Sequence, residues 1–340
     1  MLAVFGAVFG EGGLGCQASK KLVKSKSKIR KISLLSWQMV RVKETQDKIC
    51  IQIVNCAITD LKKSTCKIFK TIELKMLVLK EPFKTAWANK DPFEEVLKLN
   101  GEIYREVATR RTSNFKFQGE SFYIKVHKGT TVKEILKNYL SLRAPVLGAG
   151  NEYKAINRLA ELGVNTMEVV AFGERGVNPL TRESFIITKD LNPAISLEDY
   201  CKNWKDNPPP YHVKKVLIEE VARMVKTMHE GGVNHRDCYI CHFLLHLPYV
   251  EGQNPKISII DLHRAQIRDY VPLRWRNKDL VALFFSSLNI GLSERDYLRF
   301  VRSYFKGERL REVIENEKKF FNSIEDKVRK IQERTVRKKL

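Results

Sequence analysis

The sequence predicts an α+β fold of two lobes, a small antiparallel-sheet lobe followed by a mainly helical one, with a cleft between them. Three observations predict it. Apolar alternation of period two occupies the stretch after residue 102, and helical spacing of three and four governs the stretch after residue 213. A 340-residue chain that is 43% hydrophobic and 29% charged also buries a real core rather than staying disordered.

Residues 1–75 stand apart. A Gly-rich start is followed by a Lys/Ser run over 20–31 and by three of the seven cysteines, Cys50, Cys56 and Cys66, with no sustained amphipathic period. At Met76 the pattern changes, Leu77-Val78-Leu79 preceding Pro82, Trp87 and Pro92. Residues 1–75 are therefore read as an N-terminal extension, with Met76 a candidate start. Alternation over 103–107, at Phe115 and Phe117, and over 122–126 reads as a meander with a turn at Gln118-Gly119-Glu120. The turn between its first two strands is expected at Thr109-Arg110-Arg111-Thr112. A helix over 151–162 closes at Gly163, and 184–188 reads as a further strand before Pro193. Leu217, Val221, Met224 and Met228 form one face of a buried helix over 213–230, ended by Gly231-Gly232. Short apolar runs at 243–247 and 257–260 precede a helix from near Lys278. The organisation is thus an extension over 1–75, a smaller lobe over 76–190, a larger lobe over 191–305 and a charged helical tail over 306–340.

Charge narrows the partners. Lys and Arg number 61 against 39 Asp and Glu, a net +22, of which residues 1–75 supply +10. A moderately basic folded part favours nucleic acid, an anionic membrane surface, an acidic protein or a phosphorylated small molecule. The longest near-unbroken apolar run, 1–10, is far short of the roughly 18 residues that span a bilayer. It also lacks the leading charge and clean cleavage site of a secretory signal. Seven cysteines, unevenly spread, describe no disulfide framework and point to a reducing compartment.

The strongest chemical signal is His235-Arg236-Asp237 in the turn after the buried helix, with Asp261 ending an apolar strand 24 residues later. Phosphoryl transfer needs two carboxylates in different roles, one to orient the attacking hydroxyl and take its proton, the other to hold the magnesium that bridges nucleotide phosphates. Asp237 fits the first role and Asp261 the second. Upstream, Lys125 lies on the third strand and Glu152 in the first large helix, and a Lys held by a Glu reaches phosphates without swinging free. Singly, each of these is as well explained by a cap or a surface ion pair; four in this order are more specific than any one.

On these residues the chain resembles the protein-kinase-like fold, and more closely the lipopolysaccharide core heptose(I) kinases, across residues 76–335. The likeness is carried by Gly129-Thr130-Thr131, Pro145-Val146-Leu147-Gly148-Ala149, Asn178-Pro179-Leu180-Thr181-Arg182, Ile195-Ser196-Leu197-Glu198-Asp199-Tyr200, 234–247 and Ile260-Asp261-Leu262-His263-Arg264-Ala265-Gln266. It implies ATP and Mg2+ as cofactors and transfer to the first heptose of the inner core. The setting it implies is a lipid-linked acceptor at the cytoplasmic face of the inner membrane of a Gram-negative bacterium, with peripheral contact to anionic lipid. It points weakly to an acidic partner such as an acyl carrier protein, and not to nucleic acid. By the same resemblance Lys125, Glu152 and the backbone of Lys189-Asp190-Leu191 meet the nucleotide, and Asp279 anchors the loop of His235 and Arg236. Arg264, Arg268, Arg274 and Arg276 are candidates for acidic sugar and lipid phosphates.

The chain also departs from ordinary protein kinases. No Gly-rich loop precedes Lys125, so Arg110 and Arg111 are the candidates to hold phosphates there. His242 stands where protein kinases place a magnesium-binding Asn, and is a metal candidate. Two rival readings remain. Cys238-Tyr239-Ile240-Cys241-His242 matches a haem signature, and Cys238, Cys241, His242 and His246 together a zinc site, which would make the chain a basic binding module stapled by metal without turnover. Gly10-Glu11-Gly12-Gly13-Leu14-Gly15 has dinucleotide-loop spacing but no acid in register behind it. The tail, with 12 basic and 7 acidic residues over 306–340, reads as a solvated helix or an anionic-lipid contact weakened by Glu308, Glu312, Glu315 and Glu317.

Overall fold

The computed structural model describes residues 75–107, 110–129, 148–178 and 180–339. The expectations for residues 1–74, for Thr130-Thr131, for 145–147 and for Pro179 lie outside them. Six strands build the smaller lobe: β1 (Lys75–Leu79), β2 (Glu102–Val107), β3 (Arg110–Phe117), β4 (Glu120–Lys128), β5 (Val169–Arg175) and β6 (Glu183–Lys189). They form one antiparallel sheet in the order β1-β5-β6-β4-β3-β2. The β3–β4 turn has Gln118 at φ 49 and Gly119 at φ 86, the two left-handed residues that a tight two-residue hairpin needs to match strand twist. Strand β4 alternates as its sequence dictates. Phe122, Ile124 and Val126 are buried against α1 (Phe83–Ala86) and α2 (Pro92–Lys98), in a core that includes Phe83, Trp87, Phe93 and Phe185. Lys125 and His127 point to the other face.

The expected turn at 109–112 is displaced. Arg110, Arg111 and Thr112 pair with Val107, Glu106 and Arg105 and belong to β3 rather than to a turn. Strand β5 leaves no periodic signature in the sequence, because its run, Val169-Val170-Ala171-Phe172, is buried on both sides and shows no alternation.

Helix α3 (Gly150–Glu161) leans on the sheet, and Gly163 at φ 68 ends it. The larger lobe follows with β7 (Ala194–Ser196), α4 (Leu197–Tyr200), α5 (Tyr211–Glu230), β8 (Val233–Asn234), β9 (Phe243–His246), β10 (Ile257–Ile259) and β11 (Gln266–Ile267). Five helices complete it: α6 (Leu273–Ser287), α7 (Glu294–Tyr304), α8 (Leu310–Asn316), α9 (Lys318–Asn322) and α10 (Ile324–Lys339). The predicted face Leu217, Val221, Met224 and Met228 of α5 is wholly buried. Helix α6 begins at Leu273 rather than near Lys278, because Pro272 sets the entry and its polar first turn hides the helical period. The tail is three helices rather than one, and Phe320 and Val328 join the same core as α5.

Candidate active site

Strand β4 carries Lys125 toward α3, where its Nζ lies 2.6 Å from Glu152 Oε1 and 3.2 Å from Asp261 Oδ1. Glu152 is only 2% exposed, so the ammonium is fixed by a carboxylate shielded from water. Antiparallel register sets Arg110 beside His127 and Thr112 beside Lys125 on the same sheet face. Arg110 Nε, Thr112 Oγ1 and His127 Nε2 are buried there without a hydrogen-bond partner among the described residues. Burial, with the fields of Arg110, Lys125 and His263, pushes the His127 imidazole down to about 3. Arg111 faces the opposite way, its Nη2 3.4 Å from the carbonyls of Val96 and Leu99 at the end of α2. The structure therefore separates the two arginines that the sequence placed together.

Below the sheet, the loop after α5 is clamped by Asp279. Its carboxylate accepts from His235 N at 2.6 Å and Arg236 N at 2.8 Å, and His229, itself bonded to Tyr304, approaches it at 3.4 Å. Arg236 is held at φ 73, a backbone state that costs a non-glycine residue free energy unless its surroundings fix it. The buried His235 bonds through Nε2 to Ile260 O at 3.0 Å, tying this loop to the strand end that bears Asp261. Arg264 Nη1 lies 2.8 and 2.9 Å from the two oxygens of Asp237.

Asp261 adopts a left-handed conformation at φ 60. His263 Nδ1 lies 2.7 Å from its Oδ1, and His242 Nε2 lies 3.8 Å from its Oδ2. Burial opposes ionisation of Asp261. The His263 hydrogen bond and the fields of Lys125, His263 and His242 outweigh it and hold the carboxyl well below the usual range. Asn151, next to Glu152, donates to His263 O and Ala265 O at 3.0 and 2.7 Å. One helix thus positions both the Lys125 partner and the Asp261 turn.

The donor set suits magnesium. His242 Nδ1 donates to the Asp237 carbonyl at 2.8 Å, which leaves Nε2 turned toward Asp261. The Asp261 carboxylate matches a hard ion that keeps waters and takes its other ligands from substrate phosphates, and the neighbouring His242 nitrogen departs from that all-oxygen preference. A zinc staple does not fit. Among the described residues no group of three or more His, Cys, Asp or Glu is gathered for a metal, whereas structural zinc takes four ligands. Cys238 is fully buried, its thiol pushed well up by burial, and burial raises Cys241 to about 11. His246 turns away to Ser258 Oγ at 2.9 Å.

The remaining candidates divide. Arg268 bonds Asn234 and Gln266, and Arg276 bonds Asn277 and Glu317, so both brace the larger lobe. Arg274 is exposed and lies over Trp275 at 4.6 Å. Lys189 ends β6 and Asp190 and Leu191 follow it where the lobes join, and the Asp190 carboxylate accepts from Asn114 and Ser121. The sequence alone assigned no site role to Thr112, His127, Asn151 or His263. The β4 alternation that singled out Lys125 carries His127 on the same face and was the available signal.

An antiparallel sheet leaning on one helix above a mainly helical half, with this lysine–glutamate pair between them, is the protein-kinase-like architecture of phosphotransferases. The chain belongs to the lipopolysaccharide kinase (Kdo/WaaP) family, which it matches over residues 94–304. It is 59% identical over 266 residues to the lipopolysaccharide core heptose(I) kinase WaaP of Escherichia coli K12, 78% of this chain and 100% of that protein. It is 51% identical over 262 residues to WaaP of Pseudomonas aeruginosa, 77% of this chain and 97% of that protein. Among solved structures, "WaaP in complex with acyl carrier protein" is similar at 48% identity with a TM-score of 0.67, over 75% of this chain and 98% of that one.

Proposed function

We propose that this protein transfers a phosphoryl group from ATP to the first heptose of the lipopolysaccharide inner core, on a lipid-linked acceptor. The observation that carries the reading is the convergence of Lys125 and Glu152 of the smaller lobe with Asp261 of the larger within hydrogen-bonding reach, in a chain 59% identical to a named heptose(I) kinase.

Each residue has a part in the reaction. Lys125, steadied by Glu152, meets the nucleotide phosphates as a fixed charge. Arg110, Thr112 and His127 offer unpaired polar atoms on the same face and take the place of a Gly-rich loop. The backbone at Lys189-Asp190-Leu191 receives the base. Asp237, on the loop clamped by Asp279, accepts the proton of the attacking hydroxyl. Arg264 holds the Asp237 carboxylate until the acceptor arrives and then turns to an anionic group of that acceptor, with Arg274 beside it. Asp261 and His242 would hold Mg2+, which supplies charge neutralisation between the transferring phosphates.

An acyl carrier protein is the acidic partner this reading favours, on the strength of the solved complex of a relative and the basic surface. Work at the cytoplasmic face of the inner membrane is peripheral in this reading; no helix among the described residues is long and apolar enough to cross a bilayer.

Purified protein incubated with ATP, magnesium and a heptose-bearing core acceptor tests the reading. Phosphate on the heptose is expected. Intact acceptor with ATP consumed by water, or with no ATP bound, overturns it.

A further inference from the structure

We propose that the segment between the Asp261 turn and the first turn of α6, residues 264–278, is the surface by which this protein lies on an anionic lipid bilayer. The inference rests on the reading above for its place beside the cleft, and on the surface itself for its chemistry.

Among the described residues, the two most exposed large hydrophobic side chains are Tyr270 at 72% and Leu273 at 64%, and Ile267, at 40%, precedes them. All three fall within seven residues of one segment. Such side chains scattered singly are ordinary; gathered and rimmed by charge they mark a contact surface. The same segment holds Arg264, Arg268, Arg274, Arg276 and Lys278 against a single acid, Asp269. The half-buried ring of Trp275 has Arg236, Arg268, Arg274 and Lys278 around it at 5.4, 5.8, 4.6 and 5.4 Å. Arg274 and Lys278 form no ion pair among the described residues. The two exposed cations over this ring, Arg274 and Lys278, repel one another, and an anion taken up between them relieves that repulsion.

Apolar and aromatic side chains beside unpaired cations match the headgroup region of a bilayer, where phosphates and acyl boundary lie within a few ångströms. An acidic protein that met the cations alone would leave Tyr270 and Leu273 in water. The basic tail offers a weaker case. Its cations are interleaved with acids, as in the Arg329–Asp326 pair at 2.8 Å, and Val313, Phe320 and Val328 are turned into the core. Arg264, at the head of the segment, also bridges Asp237. A bilayer seated here brings the Asp237 carboxylate to the surface where a lipid-linked sugar stands.

The test uses the full chain and vesicles of phosphatidylcholine alone or mixed equally with phosphatidylglycerol, read by sedimentation. Binding to the anionic vesicles only is expected, lost in high salt. Tyr270→Ser with Leu273→Ser should lower partitioning at least tenfold with ATP affinity unchanged, and Arg274→Gln roughly fivefold. The tail variant Arg329→Gln with Lys330→Gln should bind as the parent does. Equal binding to neutral vesicles overturns the proposal, as does parental binding by the Tyr270/Leu273 variant. If that variant keeps the vesicles but loses a copurifying acidic protein, the surface belongs to a protein instead. Phosphorylation of a water-soluble, deacylated core acceptor is assayed in parallel. Turnover without vesicle binding defeats this inference alone, and vesicle binding through the segment without turnover defeats the kinase reading alone.

Discussion

Two aspartates at the cleft are held so differently that their loss should be felt differently. Asp237 has its carboxylate bridged by Arg264 and no contact with Lys125, whereas Asp261 shares Lys125 with Glu152. Asp237→Ala should therefore cut turnover by about three orders of magnitude, general-base loss at its usual scale, and leave Mg-ATP affinity within a factor of about two. Asp261→Ala should weaken Mg-ATP binding as well. Titration calorimetry beside turnover assays separates the two, and identical Mg-ATP binding by both variants would refute the division. His127 gives a second prediction, on stability. Its imidazole, ordinarily near 6.5, is lowered to about 3 in the fold, so the unfolded chain binds the extra proton between those values. The stability that His127 adds by staying neutral is whole above pH 6.5 and is lost progressively as pH falls toward 3. His127→Gln should flatten the acid limb of Tm against pH, and a limb as steep as the parent's contradicts this. The buried His235 is lowered as well, so part of the slope should remain.

At the scale of elements, the cleft is assembled by short connections whose geometry leaves little freedom. Gly232, at φ 81 between α5 and β8, passes so close to Arg268 that a Cβ there would meet the Arg268 carbonyl oxygen. Gly232→Ala should thus push β8 from β11, disturb the loop bearing Asp237 and cost about 1–3 kcal/mol from the backbone strain alone. A chemical-denaturation midpoint equal to the parent's would count against that. The same connections mark where the sequence could be read and where it could not. Helix α5 was legible because its period is written in Leu217, Val221, Met224 and Met228 and its end in two glycines. The grouping of Lys125, Glu152 and Asp261, which the structure brings together, was legible because one lysine and two acids at strand, helix and strand-end positions form an ordered set. The sides of the sheet to which Arg110 and Arg111 turn were not, because an error in placing one turn shifts the face of every residue beyond it. The unpaired polar face of Arg110, Thr112 and His127 shows only when β3 and β4 are laid side by side, since none of the three is unusual in a strand.

For the whole molecule, the core divides the chain less sharply than charge does. Every candidate site residue lies between Arg110 and Asp279, so a chain starting at Met76 should keep its turnover within about twofold, read as specific activity of soluble protein. Loss of activity from a folded protein of that length overturns this expectation. The tail should behave in the opposite way. A solvated helix could be removed at no cost, but Val313, Phe320 and Val328 are at most 8% exposed, and Phe320 and Val328 belong to the core that holds α5. Burying such side chains contributes about 1.5–3 kcal/mol each, so three together approach the 5–15 kcal/mol that a whole domain typically has in hand. The loss would not stop at burial. Arg276 lies in the first half of α6 with its guanidinium 2.6 Å from Glu317 Oε2, and α6 carries Asp279 three residues on, the clamp of the loop that bears Asp237. Deleting 306–340 should therefore leave protein that aggregates or unfolds far below the parent's midpoint. Glu317→Gln in the full chain should be milder, with a small fall in Tm and unchanged Mg-ATP affinity. Circular dichroism melts of the two proteins decide the matter: a truncated chain that melts with the parent would mean that the tail rests on the larger lobe without supporting it.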